Sequence, residues 1–345
     1  MPEYIATFPA GFEPVVQQLP QWLHGASLRG MYSGLVHLAY SGDERALLRL
    51  PCFGNVFQVI RSYHGKGLSL EKMVQSAAGT HARIGNPGKG GFRVRFQKEG
   101  RFVAVDKAIS LQAERAAQRA TGLRLDRLHP QVELWYILRR EGVGYYALLQ
   151  QGVRRAKGEP APGELRPELA YLLCRMANIS KGDWVCDPLA GHGAIPRQLL
   201  QHFPCGRVYA SDLDRDLARK LAGLPHGAKI DYRSSRMDAR KLDSISDHSL
   251  DVIVSDPPWG IYDQRLESAI GEFYAELLRC FQMKLKEGSR LVLLTAQKHP
   301  LESALKAAGF SLRMRLDVLV NGKKAAAYLA ILKRSAGEEQ PTPVG

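Results

Sequence analysis

The sequence has few cysteines and no long apolar run, and each of these absences excludes a class of protein. The five cysteines are scattered and include no Cys-x-x-Cys pair, which predicts buried free thiols and indicates neither a disulfide framework nor a zinc site. They are Cys52, Cys174, Cys186, Cys205 and Cys280. Because no stretch of about 18 apolar residues occurs, a membrane-spanning helix is excluded.

The sequence also lacks a secretory signal, internal repeats and low-complexity tracts. The first residues show no basic segment followed by an apolar stretch, so the expected location is the cytoplasm. A chain of 345 residues with 45% hydrophobic and 24% charged residues is typical of a globular protein with two or three domains. No metal is expected, and the oligomeric state stays open with a monomer favoured.

Positive charge is in excess, at +14 overall, and most of the excess lies in the first half of the chain. Residues 1–160 contain 22 lysines and arginines against 12 acidic residues, whereas residues 161–345 contain 26 against 22. Residues 61–127 alone contain 14 against 5. This distribution favours a partner with a phosphate backbone. Solubility and an acidic protein partner are the alternatives.

The first half is predicted to form two small α+β domains. Residues 1–60 alternate strand, helix, strand, helix, strand, which indicates a ferredoxin-like domain. Residues 61–151 contain an amphipathic helix over 108–121 that ends at Gly122, and a hairpin of strands 132–138 and 145–149. Residues 152–164, rich in Gly and Pro, are predicted to be a linker.

A basic strand after the Gly-rich segment 88–91 supplies candidate nucleic-acid contacts. Phe92, Val94 and Phe96 alternate with polar residues, so one face of the strand packs and the other carries guanidinium groups. A solvated basic face is the alternative. The candidates for RNA contacts are Arg93, Arg95, Lys98 and Arg101, with Arg166 farther along the chain.

The second half is predicted to be an α/β domain. A helix that starts at Pro167 leads into it, and from Asp183 onward strands and helices alternate, which is typical of a Rossmann-like, doubly wound parallel sheet. A terminal antiparallel hairpin is expected to pair strands 311–320 and 325–332 around Asn321-Gly322. The domain is expected to span residues 165–335, with 336–345 as a flexible tail.

The stretch Asp256-Pro257-Pro258-Trp259-Gly260 follows the apolar strand 252–254. Each proline fixes φ and lacks an N–H, so the turn is stiff and Trp259 is held at a set angle. A carboxylate, the carbonyls of Asp256 and Pro257 and a large aromatic ring are together suited to holding a flat ring that carries an exocyclic amine. A rigid loop with a half-buried tryptophan is the alternative.

A second group of residues is predicted to bind a cofactor where strands end. Gly191 and Gly193 follow the predicted strand 184–186 and Asp187 directly after it, and they free backbone N–H groups at the start of a helix. Asp212 follows about 20 residues later at the end of the next strand, where a carboxylate can accept hydrogen bonds from both ribose hydroxyls of an adenosine. Asp238, after the third strand, fits an acceptor for the adenine amine.

The strand order of a doubly wound sheet brings Asp187, Asp212 and Asp256 to one crevice. Asp238 adds a fourth carboxylate to these three. Together they would repel a pyrophosphate and favour a positively charged cofactor without phosphate, S-adenosylmethionine. Considered one at a time, each aspartate is better explained as a strand-end or helix-capping residue than as a cofactor ligand. The expected cofactor-binding residues are Asp187, Ala190, Gly191, His192, Gly193, Asp212, Leu213, Asp238, Ala239 and Asp256.

Residues 160–332 resemble the class I methyltransferases that modify the exocyclic amine of a nucleobase, whose signature is [Asp/Asn/Ser]-Pro-Pro-[Tyr/Phe/Trp]. Leu165-Arg166-Pro167, the segment 187–193 and the motif 256–260 look like those of the THUMP-containing RNA guanine-N2 methyltransferases. Residues 61–151, with His129-Pro130-Gln131 near their end, are similar to a THUMP domain. Two positions depart from the family, which more often has a small or hydroxyl residue at His192 and a tyrosine at Trp259.

The resemblance implies methyl transfer from S-adenosylmethionine to the N2 amine of a guanosine in tRNA, whose acceptor arm the N-terminal half would hold. Trp259 would stack on the base while the Asp256 carboxylate and the Pro257 carbonyl accept the amine hydrogens. The expected catalytic residues are Asp256, Pro257, Pro258 and Trp259. Amine methylation of adenine in RNA or DNA is one alternative. A catalytically silent RNA-binding protein that keeps the fold is another.

Overall fold

Two sheets organise the chain, and each belongs to its own unit. The computed structural model describes residues 1–79, 88–150, 163–227, 229–260 and 264–333. One unit comprises Met1–Phe8 and Val16–Gly158, and the other comprises Pro9–Val15 and Glu159–Gly345. The predicted linker, apart from Gly163 and Glu164, and the predicted tail lie outside the described residues.

The first unit begins with the βαββαβ order of a ferredoxin-like domain. Its four strands are antiparallel in the order β2-β3-β1-β4. The sequence prediction missed β2, which is the least buried of the four because it lies at the edge of the sheet. The elements are β1 (Glu3–Thr7), α1 (Glu13–Val16), α2 (Leu19–Trp22), β2 (Ala26–Tyr32), β3 (Leu35–Tyr40), α3 (Glu44–Leu48) and β4 (Val56–His64).

The same sheet continues through β4 into the basic region, in the order β4-β9-β8-β5-β6, with β7 paired to β5. The predicted boundary between residues 60 and 61 falls inside β4, which pairs with β1 on one side and β9 on the other. Residues 1–60 and 61–151 therefore share one sheet and are not separate domains. The further elements are α4 (Leu70–Ala78), β5 (Gly91–Lys98), β6 (Arg101–Phe102), α5 (Lys107–Thr121), β7 (Arg124–Leu125), β8 (Val132–Leu138) and β9 (Val143–Gln150).

The core of this region forms where β5, β8 and β9 pack against α4 and α5. Phe92 and Phe96 are buried there, as the alternation along β5 predicts. Helix α5 ends at Gly122, whose φ of 70° is the left-handed conformation that glycine adopts without steric cost. The apolar face of β5 is thus fixed, and its arginines lie on the opposite face.

The second unit has a seven-stranded sheet in the order β12-β11-β10-β13-β14-β16-β15. The first five strands are parallel, and β16 runs antiparallel to both β14 and β15. This confirms the predicted doubly wound sheet with a terminal hairpin. Its elements are α6 (Pro167–Met176), β10 (Trp184–Asp187), α7 (Ala194–His202), β11 (Arg207–Asp212), α8 (Arg215–Ala222), β12 (Asp231–Arg236), β13 (Leu250–Ser255), α9 (Gln264–Lys284), β14 (Leu285–Thr295), α10 (Lys298–Ala307), β15 (Phe310–Val320) and β16 (Lys323–Leu332).

The cysteines, the apolar character of the helices and the groups of metal-ligand side chains can also be compared with the sequence-based expectations. All five cysteines are buried and free, as predicted. Within the described ranges, no helix has the length and apolar character that crossing a membrane requires. Nor do the described residues include a group of three or more His, Cys, Asp or Glu side chains arranged to hold a metal ion.

Candidate active site

Three carboxylates lie where parallel strands end at one edge of the second sheet. Strands β11 and β13 flank β10 on either side, so the ends of all three meet at the point where the strand order reverses. Asp187 is the last residue of β10, Asp212 is the last residue of β11, and Asp256 directly follows β13. The predicted convergence of these three aspartates follows from the strand order.

Asp187 is the most buried of the three, with 1% of its surface exposed. Its Oδ1 accepts a hydrogen bond from the Ser255 hydroxyl at 2.7 Å and another from the Leu189 N–H at 3.3 Å. The pKa of Asp187 is raised to about 7, chiefly by desolvation and also by the charges of Asp256 and Asp212, while the two hydrogen bonds oppose the rise. A buried carboxylate of this kind favours a cation beside it.

The loop after β10 is held to the end of β11. Gly191 donates its N–H to Asp212 Oδ2 at 2.8 Å, and Ala190 donates its N–H to the Ser211 carbonyl at 2.9 Å. Asp212 Oδ1 accepts from the Asp214 N–H at 2.9 Å. The carboxylate therefore positions the loop and keeps acceptor lone pairs for a ligand, because each oxygen can accept a second hydrogen bond.

Both loop glycines have left-handed backbone, with φ of 53° at Gly191 and 82° at Gly193. A Cβ added at Gly191 would face open space, whereas one added at Gly193 would lie 3.0 Å from Leu224 and 3.1 Å from Leu221. A methyl group at Gly193 would thus press on two leucine side chains at the start of α7. Gly191 leaves a space beside Asp212 that a ligand can enter. Leu213, 53% exposed, adds an apolar side chain next to Asp212.

The two glycines give a matched pair of substitutions. We expect Gly193→Ala to lower the free energy of unfolding by about 1–2 kcal/mol or more, because left-handed backbone and a tight contact both oppose a methyl group. Gly191→Ala has the same cost of left-handed backbone but no close contact with a leucine. We therefore expect it to destabilise the fold less and to lower cofactor affinity. Urea unfolding and cofactor titration measure the two effects. A cofactor affinity of Gly191→Ala equal to that of the wild-type protein would show that the ligand does not approach Gly191.

Asp238 differs from the other three aspartates. Its carboxylate accepts from Nε and Nη2 of Arg240 at 3.0 and 2.8 Å, and Arg240 also bonds to Glu276 at 3.1 Å. The Arg240 guanidinium holds the pKa of Asp238 below its usual range. Arg240 therefore neutralises the charge of Asp238, and the electrostatic argument for a cationic cofactor rests on the other three carboxylates. Ala239 beside it is buried.

The Asp256-Pro257-Pro258-Trp259 turn is held by contacts from α9 and from the end of β14. The Tyr274 hydroxyl donates to the Pro258 carbonyl at 3.1 Å, and Gln297 Nε2 donates to the Trp259 carbonyl at 2.7 Å. Asp256 Oδ1 accepts from the Trp259 indole N–H at 3.0 Å. Desolvation raises the pKa of Asp256 to about 7, and the bond from Trp259 opposes the shift.

Sequence analysis did not identify the residues that support this turn. Tyr274 also shares a hydrogen bond of 2.7 Å with Thr295, whose Oγ1 accepts from the Gln297 N–H at 2.9 Å. Thr295 is the last residue of β14, and Ser255 is the last of β13, so the rule that polar side chains at strand ends mark a site would have found both. Tyr274 lies inside α9, where no local pattern distinguishes it.

The candidate RNA contacts fall into two groups. Arg93 donates to Glu133 at 3.0 Å, and the Arg95 guanidinium lies 3.5 Å from the centre of the Phe102 ring and 3.9 Å from Glu133. Buried Glu133 therefore partly neutralises the charge of Arg93 and Arg95. The exposed cations on β5 and β6 are Lys98 and Arg101. Arg166, in the second unit, lies 3.8 Å from Glu168.

The site fits a cationic ligand that carries a ribose. Asp187 and Asp256 supply uncompensated negative charge, Asp212 supplies acceptors, and Gly191 leaves room beside them. Within the described residues, no lysine or arginine forms an ion pair with these three carboxylates. S-adenosylmethionine has cationic groups that match Asp187 and a ribose that matches Asp212. His192 lies in the same loop, and its carbonyl accepts from Arg197 at 3.1 Å.

Cofactor affinity is expected to rise as the pH increases from 6 to 7.5. Asp187 has a pKa raised to about 7, so below that pH a bound cation must displace a proton from its carboxylate. We expect affinity to change about tenfold over this range. Calorimetric titration at several pH values measures it, and Asp187→Asn should flatten the profile. A flat wild-type profile would place the cation elsewhere.

Comparison with known proteins supports the chemistry that the geometry indicates. Residues 205–326 match the model of the UPF0020 family, described as an RMKL-like methyltransferase domain. The chain is 33% identical over 232 residues to a tRNA (guanine(6)-N2)-methyltransferase of Thermus thermophilus, covering 66% of this chain and 68% of the relative. It is 31% identical over 159 residues to a tRNA (guanine(10)-N2)-dimethyltransferase of Methanothermobacter thermautotrophicus, covering 46% of each chain.

Solved structures give the same result for the fold. The crystal structure of TrmN from Thermus thermophilus aligns over 96% of this chain and 100% of that one, with a TM-score of 0.75 and 25% identity. The similarity therefore spans both units. With the methyltransferase match, it identifies the positively charged cofactor as S-adenosylmethionine.

Proposed function

The chain belongs to the family of S-adenosylmethionine-dependent tRNA guanine-N2 methyltransferases, and from this premise we propose that it methylates the N2 amine of a guanosine in tRNA. The observation that carries the proposal is a rigid Asp-Pro-Pro-Trp turn beside Asp187 and Asp212 at the switch point of the sheet. An acceptor for an amine thus stands next to a site for a cationic nucleoside cofactor.

The residues of the loop and the strand ends are proposed to hold the cofactor. Asp212 accepts hydrogen bonds from the ribose hydroxyls, while the negative charge of Asp187 favours the cationic end. Gly191 lets the backbone approach the ligand, and Leu213 contacts the adenine. Asp238 remains the proposed acceptor for the adenine amine, and its pairing with Arg240 fixes the orientation of the carboxylate. When bound, S-adenosylmethionine supplies a methyl group that is activated by the positive sulfur.

The turn is proposed to orient the amine. A guanine must leave its stack to reach the turn. Asp256 and the Pro257 carbonyl then accept its two amine hydrogens, which directs the nitrogen lone pair along the axis of transfer. A new N–C bond forms as the S–C bond breaks, and the proton lost by the amine passes to Asp256 or to solvent. Orientation of this kind can lower the activation free energy by roughly 7–11 kcal/mol.

Incubation of the protein with methyl-labelled S-adenosylmethionine and unmodified bulk tRNA, followed by nucleoside analysis, tests the proposal. We expect the label in N2-methylguanosine. Label in N6-methyladenosine would support the same catalytic site but show that the target base is adenine. If the protein binds the cofactor but no label appears in the tRNA, transfer to tRNA is contradicted. If the protein does not bind the cofactor, the catalytically silent alternative is supported.

We propose that the first unit, as a THUMP-like region, binds the tRNA. Lys98 and Arg101 are the proposed phosphate contacts, because both are exposed and neither forms an ion pair within the described part of the chain. Arg93 and Arg95 remain candidates, although their pairing with Glu133 weakens their effective charge. A cytoplasmic location is proposed together with this substrate, and cell fractionation tests it.

Charge reversal separates phosphate contacts from solvated surface. We expect the double change Lys98→Glu and Arg101→Glu to lower tRNA affinity about tenfold or more at low salt, and to reduce the slope of log Kd against log salt by about 2. Filter binding over a salt series measures both quantities. The double change Lys181→Glu and Lys306→Glu, at two exposed lysines of the second unit, is the matched control. An equal effect from the control would mean that total charge alone governs binding.

A further inference from the structure

The indole N–H of Trp259 has two acceptors, and one of them is the proposed catalytic carboxylate. Nε1 lies 3.0 Å from Asp256 Oδ1 and 3.3 Å from the Leu294 carbonyl of β14. A ring that serves only as a stacking surface requires neither contact. The nitrogen edge of the ring is instead directed at the carboxylate three residues earlier.

The position of the ring is fixed from outside the turn as well. Gln297 donates to the Trp259 carbonyl, and Tyr274 donates to the carbonyl of the preceding Pro258. The two prolines already restrict the backbone between Asp256 and Trp259. Thus the indole N–H is directed to Asp256 by backbone restraint and by three neighbouring hydrogen bonds, including the one to Leu294.

We propose that Trp259 is a positioning residue that acts through Asp256: its N–H occupies Oδ1, so that Oδ2 is the oxygen presented to the substrate amine. This inference rests on the proposed function of the same site. It assigns to the indole nitrogen a role that a phenylalanine cannot perform. It adds an orienting role to the stacking role predicted for Trp259, because an N–H bond in the plane of the ring leaves the ring face available.

The physical reason lies in the symmetry of a carboxylate. A free carboxylate can rotate and can offer either oxygen to the amine, whereas one held at Oδ1 offers a single direction, which reduces the entropy that must be lost in the transition state. A charge-assisted bond from the indole also favours the ionised form, and this bond opposes the rise in the pKa of Asp256. Among the residues that the structure describes, the other titratable groups that interact with the charge of Asp256 are Asp187 from β10 and Tyr274 from α9. From β14, the Leu294 carbonyl faces the same indole nitrogen.

An experiment without substrate tests the contact directly. The chain has four tryptophans, so an ¹H–¹⁵N correlation spectrum shows four indole resonances, and Trp259→Phe identifies one by its disappearance. We expect the Trp259 resonance to titrate with a midpoint near 7, the value to which the pKa of Asp256 is raised, and to lose this titration in Asp256→Asn. A resonance that does not respond to Asp256 would overturn the proposal, whatever the substrate of the enzyme is.

Kinetics test the role. We expect Trp259→Phe to lower kcat about tenfold and to move the acid limb of the pH profile upward by about one pH unit, with the KM for S-adenosylmethionine unchanged. Trp135→Phe is the matched control, since Trp135 also donates its indole N–H to a carboxylate, Glu133 Oε2 at 3.0 Å. This control should leave the midpoint in place. A Trp259→Phe enzyme with an unchanged pH profile and weaker tRNA binding would leave stacking as the role of Trp259 and overturn the orienting role.

A double-mutant cycle asks whether the two residues act as one. Asn at position 256 has a single carbonyl oxygen, which Trp259 and the substrate amine must share. We therefore expect Trp259→Phe to cost little activity in the Asp256→Asn background, although it costs about tenfold in the wild-type enzyme. Equal costs in both backgrounds would show that Trp259 acts independently of Asp256. If wild-type protein transfers no methyl group to tRNA, the proposed function fails, while the spectroscopic result still decides the contact.

Discussion

Asp256→Ala is expected to lower methyl transfer to tRNA by about 10²–10³-fold, the loss typical when a single preorganised transition-state contact is removed. The affinity for S-adenosylmethionine should stay within a few-fold of wild type, because Asp187 and Asp212 remain. Alanine removes the acceptor for the amine hydrogen and also the partner of the Trp259 N–H. Single-turnover kinetics with saturating cofactor measure the loss.

The stability of the same variant distinguishes a missing catalytic group from a damaged fold. The folded-state pKa of Asp256 is raised to about 7, so the stabilising effect of its protonated form is lost as the pH rises through that value. At pH 8 the ionised carboxylate opposes folding, and its removal should leave the free energy of unfolding unchanged or higher. A melting temperature well below that of wild type at pH 8, or a lost cofactor affinity, would show that Asp256 has a different role.

Asp212→Ala is expected to have the reverse effect, with cofactor affinity reduced about 10²-fold. Two charge-assisted hydrogen bonds to ribose hydroxyls, each worth about 1.5–3 kcal/mol, are lost. The Gly191 N–H also loses its acceptor, so the loop itself is released. Calorimetric titration with S-adenosylmethionine and S-adenosylhomocysteine measures the change for both ligands.

Asp214→Ala is the matched control, because Asp214 is a neighbouring aspartate with a purely structural task. Its Oδ1 accepts from the N–H groups of Asp216 and Leu217 at the start of α8. Its loss should cost about 1 kcal/mol of stability and leave cofactor affinity unchanged. If Asp214→Ala reduced cofactor affinity as much as Asp212→Ala, the order of the α8 region, and not a ribose contact, would control binding.

Local chemistry made part of this molecule predictable from its sequence. The alternation of strands and helices after Asp183 and the turn residues Asn321-Gly322 indicated the second sheet and its hairpin, because short-range patterns determine these elements. The rule that ligands bind at a switch point then placed Asp187, Asp212 and Asp256 together. In the first half, the prediction divided a continuous sheet inside β4, since strand pairing across about 90 residues leaves no local signal.

Side-chain partners were the part that the sequence did not reveal. Glu133 lies 40 residues from Arg93, and the parallel pairing of β5 with β8 is what sets them opposite each other. Tyr274 and Gln297 reach the turn only because α9 and the end of β14 pack beside it.

The sequence by itself determined which chemical groups the site contains: a carboxylate before two prolines, glycines at a helix start and acidic residues at strand ends. The tertiary structure decided which of those groups are available to a ligand. Arg240 neutralises Asp238, Glu133 partly neutralises Arg93 and Arg95, and Trp259 occupies one oxygen of Asp256. The reason is physical, because a residue type specifies a charge or a donor, whereas desolvation and pairing depend on neighbours that strand register and helix packing bring into contact.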